Sequence, residues 1–443
     1  MGCNVMCGIW AFLGHNAGNY VVKLTPWLIH RGQEGVSFVC RVNGSFMKVG
    51  DASTVASTLC LGHARYSTSG PYGVELQPIV LGNDFALVFN GTITNYVDLI
   101  RVLRGLGVDV GVNYDALVLA HYMRELLVRL GVDDGIRELF RTVRGGYSII
   151  AIWRDSLIVV RDPWGFRPLV IGGDGNGIAI ASESAALEAL GMAWREVEPG
   201  KALVLRGSGR EYWVDGPRVR RAYCALEYIY FLRPDSQFNG ISVYEARRRL
   251  GMALARKEAV HDIDFVSPIP ETARIAAEAY ASGIGKPIHE LVVKNRYAGR
   301  GFIKPPGERS LDMYGVVKSA VRGASVALVD DSIIRGDTLR KILPKLRASG
   351  ARAIHVRVSS PPIRYPCFMG MDFPTRRELV AHGRSIDEVR EYLGANSLVY
   401  LTVDELMDAI GTTELCTACF TGNYPFTVNI DDAEKAFTGG RSW

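Results

Sequence analysis

Val326-Ala327-Leu328-Val329-Asp330-Asp331-Ser332-Ile333-Ile334-Arg335-Gly336-Asp337-Thr338 decides how the second half of this chain is read. Four apolar residues predict a fully buried strand. Two adjacent carboxylates follow where that strand ends, then a short polar loop. From Leu339 the pattern Leu-Arg-Lys-Ile-Leu predicts a helix, with Thr338 as its N-cap. In an open parallel sheet, ligands gather at the carboxyl ends of strands, and the free N–H groups of a helix N-terminus favour a phosphate. An acidic pair beside such a site suits a sugar diol or Mg²⁺. Neither common nucleotide signature applies. No G-x-G-x-x-G opens this helix, and Gly285-Lys286 has Tyr280 and Pro287 where a Walker loop needs Gly and Ser or Thr.

Strands at 263–269, 288–293, 326–329 and 353–358 alternate with helices at 271–281 and from Leu339, the pattern of a parallel α/β sheet. Pro344 is expected to kink or shorten its helix. The first half reads differently. Apolar residues at 85–89 and 148–153 predict strands, 116–130 a helix, and the glycine-rich stretch 200–217 hairpins before a domain boundary near Tyr223. Cys7-Gly8-Ile9-Trp10-Ala11-Phe12 predicts a strand that begins at a cysteine. Such a cysteine is either a small buried residue or a nucleophile whose own α-amine is the base. The second use requires loss of Met1 to Met6, as a leader or through a true start at Met6.

The 443 residues are 48% hydrophobic and 22% charged with net charge +5, the balance of a globular chain of two or three domains. That charge permits anionic small substrates and gives no argument for nucleic acid. The most apolar stretch, 147–160, is cut by Arg154 and Asp155, so no membrane span is expected. Without a basic N-terminal region, the expected compartment is the cytoplasm. There, a chain of this size needs no disulfides, so its eight cysteines call for another use.

Five motifs in the first half run in a telling order: His30-Arg31-Gly32-Gln33-Glu34-Gly35, Gly62-His63-Ala64-Arg65-Tyr66-Ser67-Thr68, Asn90-Gly91-Thr92-Ile93-Thr94-Asn95, Asn113-Tyr114-Asp115, and Arg161-Asp162-Pro163-Trp164-Gly165-Phe166-Arg167-Pro168-Leu169. In order and spacing they resemble the class II glutamine amidotransferase domain. The resemblance implies an N-terminal-nucleophile hydrolase sandwich (αββα) over residues 7–222. It implies Cys7 as nucleophile and Asn90 and Gly91 as oxyanion donors. Arg65 would take the carboxylate of glutamine and Asp115 its ammonium. Leu117 departs from the family, where an acidic residue is frequent.

The stretch quoted first resembles the type I phosphoribosyltransferases, which implies a parallel-sheet domain over residues 223–443. By that resemblance Asp330, Asp331, Ser332, Arg335, Gly336 and Thr338 bind phosphoribosyl pyrophosphate (PRPP). Thr272, Asp330 and Asp331 would hold Mg²⁺. The basic, glycine-punctuated loop from Lys294 to Lys304 is then either a solvated loop or a lid over the pyrophosphate, built on Lys294, Arg296, Tyr297 and Arg300. Asp337 departs from the family, where Thr is usual. Its carboxylate would repel a phosphate, so it is expected to turn outward or to cap the helix.

Together with Glu227-Tyr228-Ile229-Tyr230-Phe231-Leu232-Arg233-Pro234-Asp235-Ser236, these segments resemble the glutamine PRPP amidotransferase family from Cys7 to about Pro425. That implies the first step of de novo purine synthesis: ammonia released from glutamine at Cys7 passes internally to C1 of PRPP. It also implies purine nucleotides as feedback inhibitors and a homotetramer, with no nucleic-acid or membrane partner. Cys416-Thr417-Ala418-Cys419 resembles the C-terminus of the iron–sulfur branch, which places a [4Fe–4S] cluster on Cys224, Cys367, Cys416 and Cys419. Four thiolates by themselves suit zinc equally well. Cys40 and Cys60 are expected to be buried or inert, and Cys3 to belong to the leader. Two other readings compete. Another class II amidotransferase, such as a glucosamine-phosphate or asparagine synthetase, would lack the 330–338 signature. A nucleotide-sensing regulator with a decayed site has only Leu117 and Asp337 in its favour.

Overall fold

A computed structural model describes residues 7–32, 34–65, 77–111, 114–206, 211–294, 314–371 and 373–438. The leader 1–6, Gln33, Tyr66 to Thr68, Asn113, and the lid residues Arg296, Tyr297 and Arg300 lie outside the described residues.

The first half is built from antiparallel strands: β1 (Gly8–Gly14), β2 (Gly35–Val42), β3 (Ser45–Val49), β4 (Leu59–Arg65), β5 (Ile79–Leu81), β6 (Phe85–Ile93), β7 (Gly145–Trp153), β8 (Ser156–Arg161), β9 (Val170–Asp174), β10 (Gly177–Ala181), β11 (Ala193–Glu196), β12 (Lys201–Arg206) and β13 (Glu211–Asp215). One sheet has the order β11-β9-β10-β1-β4-β2-β3 and the other β13-β12-β8-β7-β6-β5. Both faces of β1 are covered, which is why its sequence is continuously apolar. Ile9 and Ala11 pack against Val88 and Ile150 between the sheets, whereas Trp10 and Phe12 pack on Val21 and Leu24 of the helix Ala17–Leu28. Helices Tyr96–Gly105 and Asp115–Thr142 cover the outer face of the second sheet. The layers therefore run helix, sheet, sheet, helix. The helix expected at 116–130 continues to Thr142 across a break at Gly131 (φ 77°, ψ −179°).

Cys40 and Cys60, expected to be buried or inert in a chain that needs no disulfides, are buried, but they form a disulfide. Both are fully buried, and the β2–β4 register sets them directly opposite each other, with Cα atoms 4.1 Å apart. Cross-strand pairing, which composition does not reveal, brings the two sulfurs together. The bridge closes a loop of 20 residues and stabilises the fold by about 3 kcal/mol on chain-entropy grounds.

The second half opens with β14 (Tyr223–Cys224) and a short hairpin of β15 (Gln237–Phe238) and β16 (Ile241–Ser242). Its sheet is parallel, formed by β17 (Phe265–Pro268), β20 (Ser325–Asp330), β21 (Ala353–Val358) and β22 (Ser397–Tyr400) in the order β17-β20-β21-β22. The stretch expected at 288–293 contributes an isolated parallel bridge, Val266 to Ile288, and then β18 (Val292–Lys294), which pairs with β19 (Tyr314–Val316). Helices Asp337–Ala348 and Ile386–Leu393 cover one face of the parallel sheet. Helices Val243–Arg256, Arg274–Ile284 and Val403–Ile410 cover the other. Near the chain's end β23 (Leu415–Cys416) returns to pair in parallel with β14.

Two local expectations are corrected. Gly336, in the left-handed region at φ 79°, is the N-cap, so the helix starts at Asp337 and Thr338 is its second residue. Pro344 neither ends nor interrupts that helix, which runs through it to Ala348. Burial of Leu339, Ile342, Leu343 and Leu346 against the sheet holds the helical path where one N–H is missing.

Candidate active sites

Strand alternation assembles the first site. Ile9 and Ala11 of β1, Leu59 and Leu61 of β4, and Ala86 and Val88 of β6 face the layer between the sheets. Continued along each strand, the same face carries Cys7, then His63 and Arg65, then Asn90. Gly8 pairs with Ala64, which sets Cys7 beside the end of β4. Asn90 is 1% exposed, and neither atom of its amide has a hydrogen-bond partner among the described residues. A buried amide left so costs free energy that an oxyanion would recover. Gly91 follows at φ +151°, and a Cβ there would fall on the Gly146 carbonyl oxygen, so only glycine fits. Asp115 accepts the Ile93 N–H at 3.1 Å and thereby ties the end of β6 to the helix it begins. The Arg65 guanidinium lies 3.7 Å from Glu34, which a substrate carboxylate would have to displace or share.

A set of buried charges beneath this pole was not singled out by motif reading. Arg31 bonds Glu183 at 2.7 Å and Glu227 at 2.8 Å, all three fully buried. Arg167 reaches Glu227 at 3.4 Å and donates to the Met369 carbonyl. His30 bonds the same Glu183 at 2.7 Å. Burial alone would raise the Glu183 carboxyl, but His30 and Arg31 hold it below the usual carboxylate range. His30, Arg31, Arg167 and Glu227 sit inside quoted motifs and Glu183 does not, and the pairing of these residues across the two halves is what sequence spacing could not reveal.

His63 is the other omission, although its two-residue spacing from Arg65 placed it on the site's face. It is 1% exposed, and neither ring nitrogen has a partner among the described residues. Burial, aided by the charges of Arg65 and Lys48, pushes its pKa down to about 3. A histidine depressed in the folded state lends stability above its unfolded pKa and loses it as pH falls toward the folded one. Folding should therefore weaken by about 2 kcal/mol between pH 7 and pH 5 from this group alone. Thermal unfolding at a series of pH values is expected to show this slope, and His63→Gln is expected to flatten it.

The second site lies at the end of β20. Asp330 and Asp331 are 8% and 9% exposed. Asp330 accepts the Asp331 N–H at 3.0 Å, and Asp331 accepts the Ser332 hydroxyl at 2.8 Å. Burial and the neighbouring Asp331 charge push Asp330 well above the carboxylate range. Burial pushes Asp331 up to about 6, against the pull of Ser332, Arg247 and Thr272. Two carboxylates under such mutual repulsion suit a cation held with Thr272. The cavity they floor is also lined by Lys294, Gly336 and Thr338, and the helix N-terminus at Asp337 adds free N–H groups. Arg335 lines this cavity while its Nε and Nη2 are held by Glu378. Asp337, with a carboxylate expected to turn outward or to cap the helix, stands in the first turn of that helix and belongs to the cavity lining.

The chain end supplies a third cluster. Cys224 and Cys416 face each other across β14 and β23. With Cys367 and Cys419 they form a set in which no thiol is disulfide-bonded. Burial pushes the Cys224 thiol up to about 12, with the Glu227 and Cys367 charges adding to it; it also raises Cys416, helped by Cys224 and Cys367, and Cys419, helped by the other three sulfurs. Among the described residues, no three His, Cys, Asp or Glu side chains stand close enough to hold one metal ion. No helix among them is long and apolar enough to cross a membrane.

Residues 63–189 match the glutamine amidotransferase domain family. The amidophosphoribosyltransferase of Pyrococcus horikoshii is 41% identical over 437 residues, 95% of this chain and 96% of that relative. That of Bacillus subtilis is 37% identical, covering 97% of this chain and 96% of the relative. The glutamine PRPP amidotransferase of B. subtilis, solved with ADP and GMP, superimposes with a TM-score of 0.85 at 36% identity, covering 95% of this chain and 97% of that one. Fold and sites together define a glutamine amidotransferase joined to a pentosyltransferase, and the chain is an enzyme of that class. It belongs to the amidophosphoribosyltransferase family, the enzymes of the first committed step of purine biosynthesis.

Proposed function

We propose that this chain converts PRPP, glutamine and water into 5-phosphoribosylamine, glutamate and pyrophosphate through two sites, in domains 7–222 and 223–443. Cys7, as the first residue of the mature chain, attacks the glutamine amide while its α-amine takes the proton. Asn90 and Gly91 hold the oxyanion. Arg65 and Asp115 hold the carboxylate and ammonium of the substrate. Ammonia leaves, and water releases glutamate from the thioester. The ammonia crosses inside the protein, because bulk water would protonate it at neutral pH. It then attacks C1 of PRPP, whose ribose hydroxyls lie on Asp330 and Asp331. The 5-phosphate sits against Ser332, Arg335, Gly336 and Thr338, and Lys294, Arg296, Tyr297 and Arg300 cover the pyrophosphate. Mg²⁺ bound by Thr272, Asp330 and Asp331 would supply positive charge for that leaving group.

The observation that supports this most directly is the Asn90 amide, buried and unpartnered among the described residues, on the face that carries Cys7. For the cysteines the reading is a [4Fe–4S] cluster on Cys224, Cys367, Cys416 and Cys419. The four thiols lie near enough to raise one another's pKa and none is disulfide-bonded, while the choice of a cluster over zinc rests on the resemblance of Cys416-Thr417-Ala418-Cys419 to the iron–sulfur branch. Its contribution is a cross-link between the chain's end and its middle, since neither half-reaction transfers electrons. The protein is further read as a cytoplasmic homotetramer inhibited by purine nucleotides, as the ADP and GMP bound to the B. subtilis enzyme support. Given both substrates, the purified protein is expected to release pyrophosphate and glutamate in equal amounts, and to be brown with iron and sulfide in equal amounts. Glutamate release without phosphoribosylamine would overturn the two-site reading. Colourless protein with stoichiometric zinc would overturn the cluster.

A further inference from the structure

Three glycines from distant parts of the chain meet at the oxyanion pole. Gly91 of β6 and Gly146 of β7 are neighbours in the second sheet, with Gly91 opposite Tyr147 in the register. Gly370 comes from the second half, in the loop that carries Cys367. A Cβ on Gly370 would stand 3.1 Å from the Gly91 Cα, 3.2 Å from its carbonyl carbon and 2.8 Å from Arg167 Nη2. A Cβ on Gly146 would stand 2.9 Å from the Met369 carbonyl oxygen. The backbone of 369–370 therefore lies close to the backbone of 91 and 146, with the Phe166 ring and the Arg167 guanidinium beside the contact.

The loop is held against this contact from behind. Arg167 donates to the Met369 carbonyl, and its other nitrogen is fixed by the buried Glu227 at 3.4 Å. Cys367 N–H donates to the Phe373 carbonyl at 3.1 Å, and Phe373 N–H to that of Met371 at 3.0 Å. Phe368, Met369, Met371 and Phe373 are all buried. Gly370 itself has φ +106°, a region where any side chain adds strain.

We infer that Gly370 and the Met369 carbonyl are positioning residues for the glutamine half-reaction: the Cys367–Met371 segment of the second half fixes the orientation of the Gly91 N–H. The oxyanion site is thus completed by a segment outside the amidotransferase half. Gly91 lies at φ +151°, where no Cβ of its own restrains it, so its direction depends on what packs around it. The Gly146 carbonyl lies on one side of it and Gly370 packs against its Cα and carbonyl carbon. Oxyanion stabilisation is steep in geometry, because a donor must meet the developing charge and not the ground-state carbonyl. Gly370 touches neither substrate nor thiol, so it acts through Gly91.

This inference rests on Gly91 being an oxyanion donor, and the experiment separates the two. In Gly370→Ala, the kcat for glutamine-dependent synthesis is expected to fall about 10- to 100-fold. The KM for glutamine should change less than about twofold, and ammonia-dependent synthesis should persist at the wild-type rate. Alkylation of Cys7 by iodoacetamide, read by mass spectrometry at that residue, needs no oxyanion donor and should keep its rate. Where the alanine protein does not accumulate, Gly370→Asn brings the same Cβ with less backbone strain and is read the same way. An unchanged glutamine kcat, or equal losses with glutamine and ammonia, would overturn the inference. If Gly370→Ala has no effect while Cys7→Ala abolishes glutamine use, the positioning role alone fails. If Cys7→Ala leaves glutamine use intact, the site reading beneath it fails.

Discussion

Cys7→Ala is expected to abolish synthesis from glutamine, by at least about 10⁴-fold, and to leave synthesis from added ammonia within about twofold of the wild-type rate. The asymmetry follows from the division of labour. In the proposed mechanism glutamine hydrolysis passes through a thioester on the Cys7 sulfur, which an alanine cannot form. Asn90, Gly91 and Arg65 remain, but they stabilise a transition state that the variant cannot form. Ammonia as donor bypasses this chemistry and needs only the β20 site. Removing one sulfur from a partly exposed position at the start of β1 should disturb little of the fold. The assay follows phosphoribosylamine formation with each donor in turn. Equal loss with both donors would mean that the two sites are not separable, and the mechanism would have to be redrawn.

The quoted stretch was legible because burial and chemistry there coincide in sequence. Val326 to Val329 are completely buried, the acids follow at once, and a helix follows them. The amidotransferase motifs were legible for the same reason, each being a short run at a strand end. What escaped was set by register and by long-range packing. Cys40 and Cys60 became a disulfide only because β2 and β4 align them face to face. Arg335 reads as a phosphate ligand in its loop, yet Glu378, 43 residues on, holds its guanidinium. Cys367 was legible as a candidate cluster ligand, while Gly370, three residues on, packs against Gly91 of the other half. Thr338 matched the preference for a hydroxyl at the N-cap. The sharp turn out of the loop needed φ 79°, and Gly336 adopts that without strain. Spacing along the chain predicts neighbours within an element, not across elements.

Asp331→Asn is expected to abolish synthesis from both glutamine and ammonia, while raising the stability of the protein without ligand. The two effects have one cause. Asp330 and Asp331 are buried side by side, and their charges repel in a setting that gives them little solvent. The repulsion is tolerable when a cation and the ribose hydroxyls of PRPP occupy the site, and costly when they do not. Neutralising Asp331 with a side chain of the same shape removes a buried charge whose pKa is pushed up to about 6, a relief on the order of 1–3 kcal/mol at pH 7. The Ser332 hydroxyl can still donate to the amide oxygen in its place. Thermal unfolding at pH 7 without substrates should therefore show a higher midpoint for the variant. Addition of Mg²⁺ with PRPP should raise the midpoint of the wild type and leave that of Asp331→Asn nearly unchanged. Activity and stability then move in opposite directions at a single residue, as expected where a site is built to bind rather than to stabilise the fold. A variant that loses activity and stability together would instead make Asp331 a structural residue of the β20 turn, and the acidic pair would lose its claim to the pentose.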